Sequence, residues 1–103
     1  MSVLLDECEG FDWDSGNSNK NWYGHGVTDQ ECEEIFMNSP LIVSLNSKHR
    51  SGEKRYEALG RTNRERWLFI AFAVRSHLIR VISARDMNRK EWNRYEKEVE
   101  RNS

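Results

Sequence analysis

From Arg66 to Val74 the chain reads RWLFIAFAV, apolar at odd and even positions alike. A strand with one wet face alternates, whereas one that is apolar on both parities has to be covered on both sides and belongs at the centre of a sheet. HLIRVISA, His77 to Ala84, is strand-like again, and the intervening Arg75 and Ser76 make a connection of hairpin length. Any fold for this chain is built around that pair.

The remaining elements follow from local signals. Leu41 to Leu45 is an apolar run of strand length, the loop NSKHRSG is polar, and EKRYEAL alternates as a half-exposed strand does. Near the start, FDW has the aromatic content of a short strand, and the first ten residues read as an extension or edge segment. Asp14, with Ser15 and Asn17 as competitors, can cap a helix from Asn19 to His25 that Gly26 ends. Thr28 and Glu31 have capping-box spacing, Val27 and Cys32 resemble a hydrophobic staple, and Cys32, Ile35 and Phe36 share a face before Asn38, Ser39 and Pro40 stop the second helix. Asn88 and Glu91 repeat the box ahead of NRKEWNRYEKEVE, whose buried stripe is Trp92, Tyr95 and Val99. The order β-α-α-β-β-β-β-α predicts an α+β fold, with an antiparallel four-to-five-stranded sheet and the helices packed on one face.

Charge is distributed unevenly. Residues 1–46 carry nine acids against one base, net −8, and residues 47–103 carry fifteen bases against eight acids, net +7, which together make the overall −1. Such asymmetry points to a basic working face in the second half, or to two halves that neutralise each other across the fold. No apolar run approaches the roughly 20 residues that cross a bilayer and no basic-then-apolar leader opens the chain, so a cytoplasmic protein without membrane contact is expected. Cys8 and Cys32 match no zinc or redox spacing and read as ordinary thiols. His25, His49 and His77 form no metal-binding pair, and no phosphate-cradling glycine loop or nucleophile motif occurs, so neither metal nor cofactor is expected.

What remains is a set of cations on strands. Arg55 and Arg61 flank the third strand segment, Arg80 lies between Ile79 and Val81, and Arg85 leaves the last strand. A guanidinium inside an apolar strand needs a ligand or an ion partner, for which Glu53, Glu57 and the amino-terminal acids are available. His25, at a helix carboxyl end, reads either as a cap for the helix dipole or as a catalyst. Trp13, Trp22 and Tyr23 read as core or rim packing, or as stacking platforms for bases.

FDWD, NSNKNWYGHGV, ECEEIF, GEKRYEALGRT and IRVISARDMNRKEWNRYE, in that order, resemble the BrnT family of bacterial type II toxins from about Phe11 to Glu96. Gly24 stands where that family usually has a basic residue, and the ten residues before Phe11 are longer than typical. The resemblance implies one domain over 1–103, with 1–10 an extension, 11–96 the toxin fold and 97–103 a helix end and tail. It implies a RelE-like fold and a ribonuclease that cleaves RNA and inhibits translation. It further implies a cognate antitoxin with a ribbon-helix-helix part through which alone DNA is bound, and assembly as a homodimer or as a heterotetramer with that antitoxin. Metal-free RNA cleavage needs a base for the 2′-hydroxyl, cations for the phosphorane and a proton for the 5′-oxygen. On this reading Arg80 and Arg85 clamp the phosphate, helped by Arg61 and Arg55. His25 is the acid or base, Glu53 the competing base, Lys20 steers or donates, and Tyr23 or Trp22 stacks on single-stranded RNA. The alternative is a non-catalytic interaction module whose basic face binds an acidic protein or RNA.

Overall fold

The computed structural model describes residues 5, 7–48 and 53–102, so His49 and the loop residues around it lie outside the described chain, as does most of the segment before Glu7. The elements are β1 (Gly10–Phe11), α1 (Lys20–His25), α2 (Asp29–Met37), β2 (Ile42–Lys48), β3 (Lys54–Arg61), β4 (Trp67–Arg75), β5 (Leu78–Asp86) and α3 (Arg89–Arg101), in the order expected. The sheet runs β1-β5-β4-β3-β2, which puts β4 at its centre as its two apolar parities require.

On one face, Ala58, Leu68, Ile70, Phe72, Val81 and Ala84 pack under Val27 and the α2 residues Cys32, Ile35 and Phe36. Phe36 meets Phe72 edge-on, with centroids 5.2 Å apart. Gly60 lets α2 approach: a Cβ there would lie 3.1 Å from the Cβ of Ile35 and 3.2 Å from its carbonyl oxygen. Burial pushes the Cys32 thiol up to about 12, so it behaves as a small apolar side chain. Both capping boxes form, at Thr28/Glu31 and at Asn88/Glu91. Gly26 closes α1 with φ 66.

Four expectations need correction. The helices do not share a face: α3 lies on the opposite side of the sheet from α2, where Trp92 stacks on Trp67 at 4.1 Å and Tyr95 meets the same ring edge-on. The cause is the second apolar parity, since Leu59, Trp67 and Phe69 point away from the α2 side and need their own cover. The sheet is not wholly antiparallel either, because β1 pairs parallel with β5 through Gly10↔Leu78 and Phe11↔Ile79. The hairpin turn is Ser76–His77, one residue later than expected, with φ of 51 and 64 at its two residues, the twist a two-residue hairpin prefers. Finally, Asp14 does not cap α1. Asn19 precedes that helix with φ 60 and no side-chain cap, because the Asp14 carboxylate is engaged elsewhere.

Candidate active site

The face carrying α3 is only partly covered, and its exposed portion is built in rows across the strands. One row is Ile42, Leu59, Phe69 and Arg85, and the next is Ser44, Glu57, Ala71 and Ser83. Extending the β3–β4 register by one residue gives a third, Arg55, Ala73 and Arg80. Phe69 floors the first row beneath Arg85, and serine and alanine floor the other two, with charged side chains at the rim.

Arg80 and Arg85 are five positions apart, so in a regular strand they would point to opposite faces. A β-bulge reconciles them. Val81 pairs with Phe72 and Ser83 with Ala71, which leaves Ile82 as an extra residue. Arg80 therefore stands opposite Ala73 and Arg85 opposite Phe69, on one face, while Ile79, Val81 and Ala84 keep to the core. Two buried asparagines brace the bulge from the sheet edge: Asn17 Nδ2 donates to the Val81 carbonyl at 3.0 Å, and Asn21 Oδ1 accepts from the Ala84 amide at 2.8 Å. Sequence reasoning weighed Asn17 only as a cap and passed over Asn21. What the opening stretch places against β5 is chiefly this brace.

Each β5 arginine is held by carboxylates. Arg80 makes two hydrogen bonds to Asp14, at 2.9 and 3.0 Å, with Asp12 at 3.4 Å. The partners are the amino-terminal acids, out of the set considered from sequence. The hydrogen bond from Arg80 and that from the Gly16 amide hold the Asp14 carboxyl below its usual range. Arg85 lies 4.1 Å above the Phe69 ring and bonds Glu91 of α3 at 2.8 and 3.0 Å. Burial pushes the Glu91 carboxyl up, but Arg85 and the Asn88 amide outweigh it and hold the group below its ordinary value.

Arg55 differs. Its Nε is buried without a hydrogen-bond partner, and among the described residues its guanidinium makes no ion pair. Two residues along the same strand, Glu57 acts electrostatically on Arg85 yet has neither a hydrogen bond nor an ion pair among the described residues. Glu53 is held by Arg75 at 3.0 and 3.1 Å, at the hairpin end of the sheet.

The other expected site residues are spread more widely. Arg61 pairs with Glu65 at 3.3 Å and lines a hollow with Pro40, Val99 and Asn102, beside the carboxyl half of α3 and away from Arg80. Lys20, Trp22, Tyr23 and His25 are exposed on α1 at the β5 edge, Tyr23 by 87%. His25 acts electrostatically on Asp86, a residue of the other sheet face. Trp13 is rim packing, its Nε1 donating to Glu33 at 2.8 Å. Arg66, unremarked in the sequence, bonds Asp86 at 2.8 Å, reaches Glu31 at 3.3 Å and donates to the Gly26 carbonyl at 2.8 Å, tying α1 to α2 and β5. Among the described residues no group of three or more His, Cys, Asp or Glu side chains is arranged to hold a metal ion, and no helix is long and apolar enough to cross a membrane.

Residues 13–91 match the family described as the ribonuclease toxin, BrnT, of type II toxin-antitoxin system. The chain belongs to the BrnT family. A comparison with curated proteins found no match. The BrnT match takes in Arg55, Glu57, Arg80 and Arg85, and ends on Glu91, the carboxylate that holds Arg85. The family is the one the resemblance implied, a ribonuclease toxin of a type II system, and the rows of the open face lie within the matched residues.

Proposed function

We propose that this BrnT toxin is a metal-independent endoribonuclease of RelE-like fold that cleaves RNA across the open sheet face, inhibits translation, and is neutralised by a cognate antitoxin with a ribbon-helix-helix part. The observation that carries this reading is the bulge at Ile82, which sets Arg80 and Arg85 on one face beside Arg55.

A guanidinium stays charged at every physiological pH and offers planar paired donors, so three of them suit the phosphorane formed when a 2′-hydroxyl attacks its neighbouring phosphate. Arg55, with its donors unengaged, takes the incoming phosphate first. Arg80 and Arg85 are pre-aimed by Asp14 and Glu91 and share their donors with the phosphate oxygens as charge grows. Glu53 orients Arg75. Lys20, His25, Trp22 and Tyr23, at the β5 edge, receive the strand as it leaves the face, through charge and stacking, and Arg61 holds backbone beyond α3.

The purified chain is expected to cleave single-stranded RNA in the presence of a chelator. Its induction in bacteria is expected to arrest growth, with relief by the neighbouring reading frame. Arg80→Ala should fold and lose both activities. A folded Arg80→Ala that keeps both would remove the clamp, and a wild-type chain that leaves RNA intact while binding an acidic protein would favour the interaction-module reading.

A further inference from the structure

We infer that Glu57 is the general base of RNA cleavage, an assignment that rests on the ribonuclease reading. Carboxylates on or beside the open face number more than one, and their partners separate them. Asp14 and Asp12 are held by Arg80, Glu91 by Arg85, and Glu53 by Arg75. A carboxylate in a two-point guanidinium bond is stabilised in its ionised form and is a poorer proton acceptor for it. Glu57 has no such partner among the described residues, although it stands one row from Arg85 and two positions from Arg55. The buried Arg55 Nε finds no hydrogen bond within the fold and lies two positions from half-buried Glu57 on the same strand face, which leaves both groups available to a substrate.

The neighbours across its row leave space above it. Ser44, Ala71 and Ser83 are all short, so a ribose can sit over this row while its phosphate lies between Arg55, Arg80 and Arg85. Strands lie about 4.8 Å apart, so β3 and β5 stand about 10 Å apart on either side of β4. In the step, the Glu57 carboxylate takes the proton of the 2′-hydroxyl and the freed oxygen forms a bond to phosphorus. The bond from phosphorus to the 5′-oxygen breaks, and that oxygen leaves with a proton from water. The resulting hydroxide recovers the proton from Glu57. The products are a 2′,3′-cyclic phosphate and a 5′-hydroxyl, with no water consumed.

The charged groups facing Glu57 are Arg55 from β3, Arg80 and Arg85 from β5, and Glu91 of α3 behind Arg85. Those of β4 (Phe69, Ala71 and Ala73) and Ser44 of β2 carry no charge. The test uses the purified full chain, a short single-stranded RNA, and the same oligonucleotide with 2′-deoxyribose as an uncleavable probe. Glu57→Gln is expected to lower kcat by about 10²–10⁴-fold, to bind the deoxy probe within about twofold of wild type, and to lose the acidic limb of the pH–rate profile. Glu57→Asp, which keeps the carboxylate one methylene further back, should recover part of the rate and keep the acidic limb. Wild-type cleavage with an unchanged kcat and pH profile in Glu57→Gln overturns the base assignment alone. Loss of probe binding in both variants assigns Glu57 to substrate positioning and overturns it too. A wild-type chain that does not cleave RNA overturns the ribonuclease reading, and this role with it.

Discussion

The two faces of one sheet contrast. Under α2, alternate residues of β3, β4 and β5 form an apolar core in which Phe36 meets Phe72 edge-on. On the other side the same strands carry Arg55, Glu57, Arg80 and Arg85 over a floor of alanine and serine, with α3 covering only the end near Trp67. The period of two in a strand lets one segment serve both ends at once, with fold on one parity and charge on the other. The bulge makes this arrangement possible in β5, since without the extra residue its arginines would divide between the faces.

Deleting Ile82 therefore probes the contrast most severely. Restoring a regular strand turns half of β5 over, so that either Ile79 and Val81 or Ala84 leaves the core. Exposing two such aliphatic side chains costs about 3–6 kcal/mol, enough to unfold most of the population in urea denaturation at low denaturant. A stable deletion variant that still pairs Arg80 with Asp14 would show that the bulge does not set the facing of the arginines.

Phe72→Ala comes next. It removes the ring that meets both Phe36 and Tyr56, and is expected to lower stability by about 3–5 kcal/mol. Arg55→Ala on the opposite face should leave stability within about 0.5 kcal/mol, because its buried Nε makes no bond to lose. RNA cleavage should nonetheless fall by about 10²-fold, equivalent to about 2.7 kcal/mol in the barrier. If the two variants lose stability equally, the division of labour between the faces fails.

The core face was legible in the sequence because its signals are local. Capping boxes, the αL glycine and the both-parity apolar run each rest on a few adjacent residues, and all appear where expected. The second face was legible only as a collection of arginines. Which of them meet depends on the bulge, and its trace is faint: in IRVISA the buried residues Ile79, Val81 and Ala84 are spaced by two and then by three. Arg61, opposite Trp67 at the far end of β3, lies apart beside α3. The roles of Asn17, Asn21 and Arg66 join residues distant in sequence, and nothing in their immediate surroundings distinguishes them from loop-forming or surface positions.

The smallest expected effect concerns carboxylates held by arginines, Asp14 and Glu91 on the open face and Asp86 on the α2 side. Asp14, Asp86 and Glu91 all have folded values below their ordinary ones, each with an arginine hydrogen bond acting in that direction. A carboxyl depressed in the folded state stabilises the fold at pH above its unfolded value, about 4, and that contribution disappears as pH falls through the lower folded value. Stability should therefore decline below about pH 4 by an amount that depends on these pairs and not on the core. Glu91→Gln should cost about 1 kcal/mol at neutral pH, as partly exposed ion pairs do, and should flatten the acid decline, because the substituted side chain no longer titrates. Phe72→Ala should lower the whole curve and leave its slope unchanged. Urea midpoints measured from pH 7 down to pH 3 separate the two. An equal slope in wild type and Glu91→Gln would mean that Arg85 gains nothing from its partner in α3, so that the charged face is held by backbone packing alone.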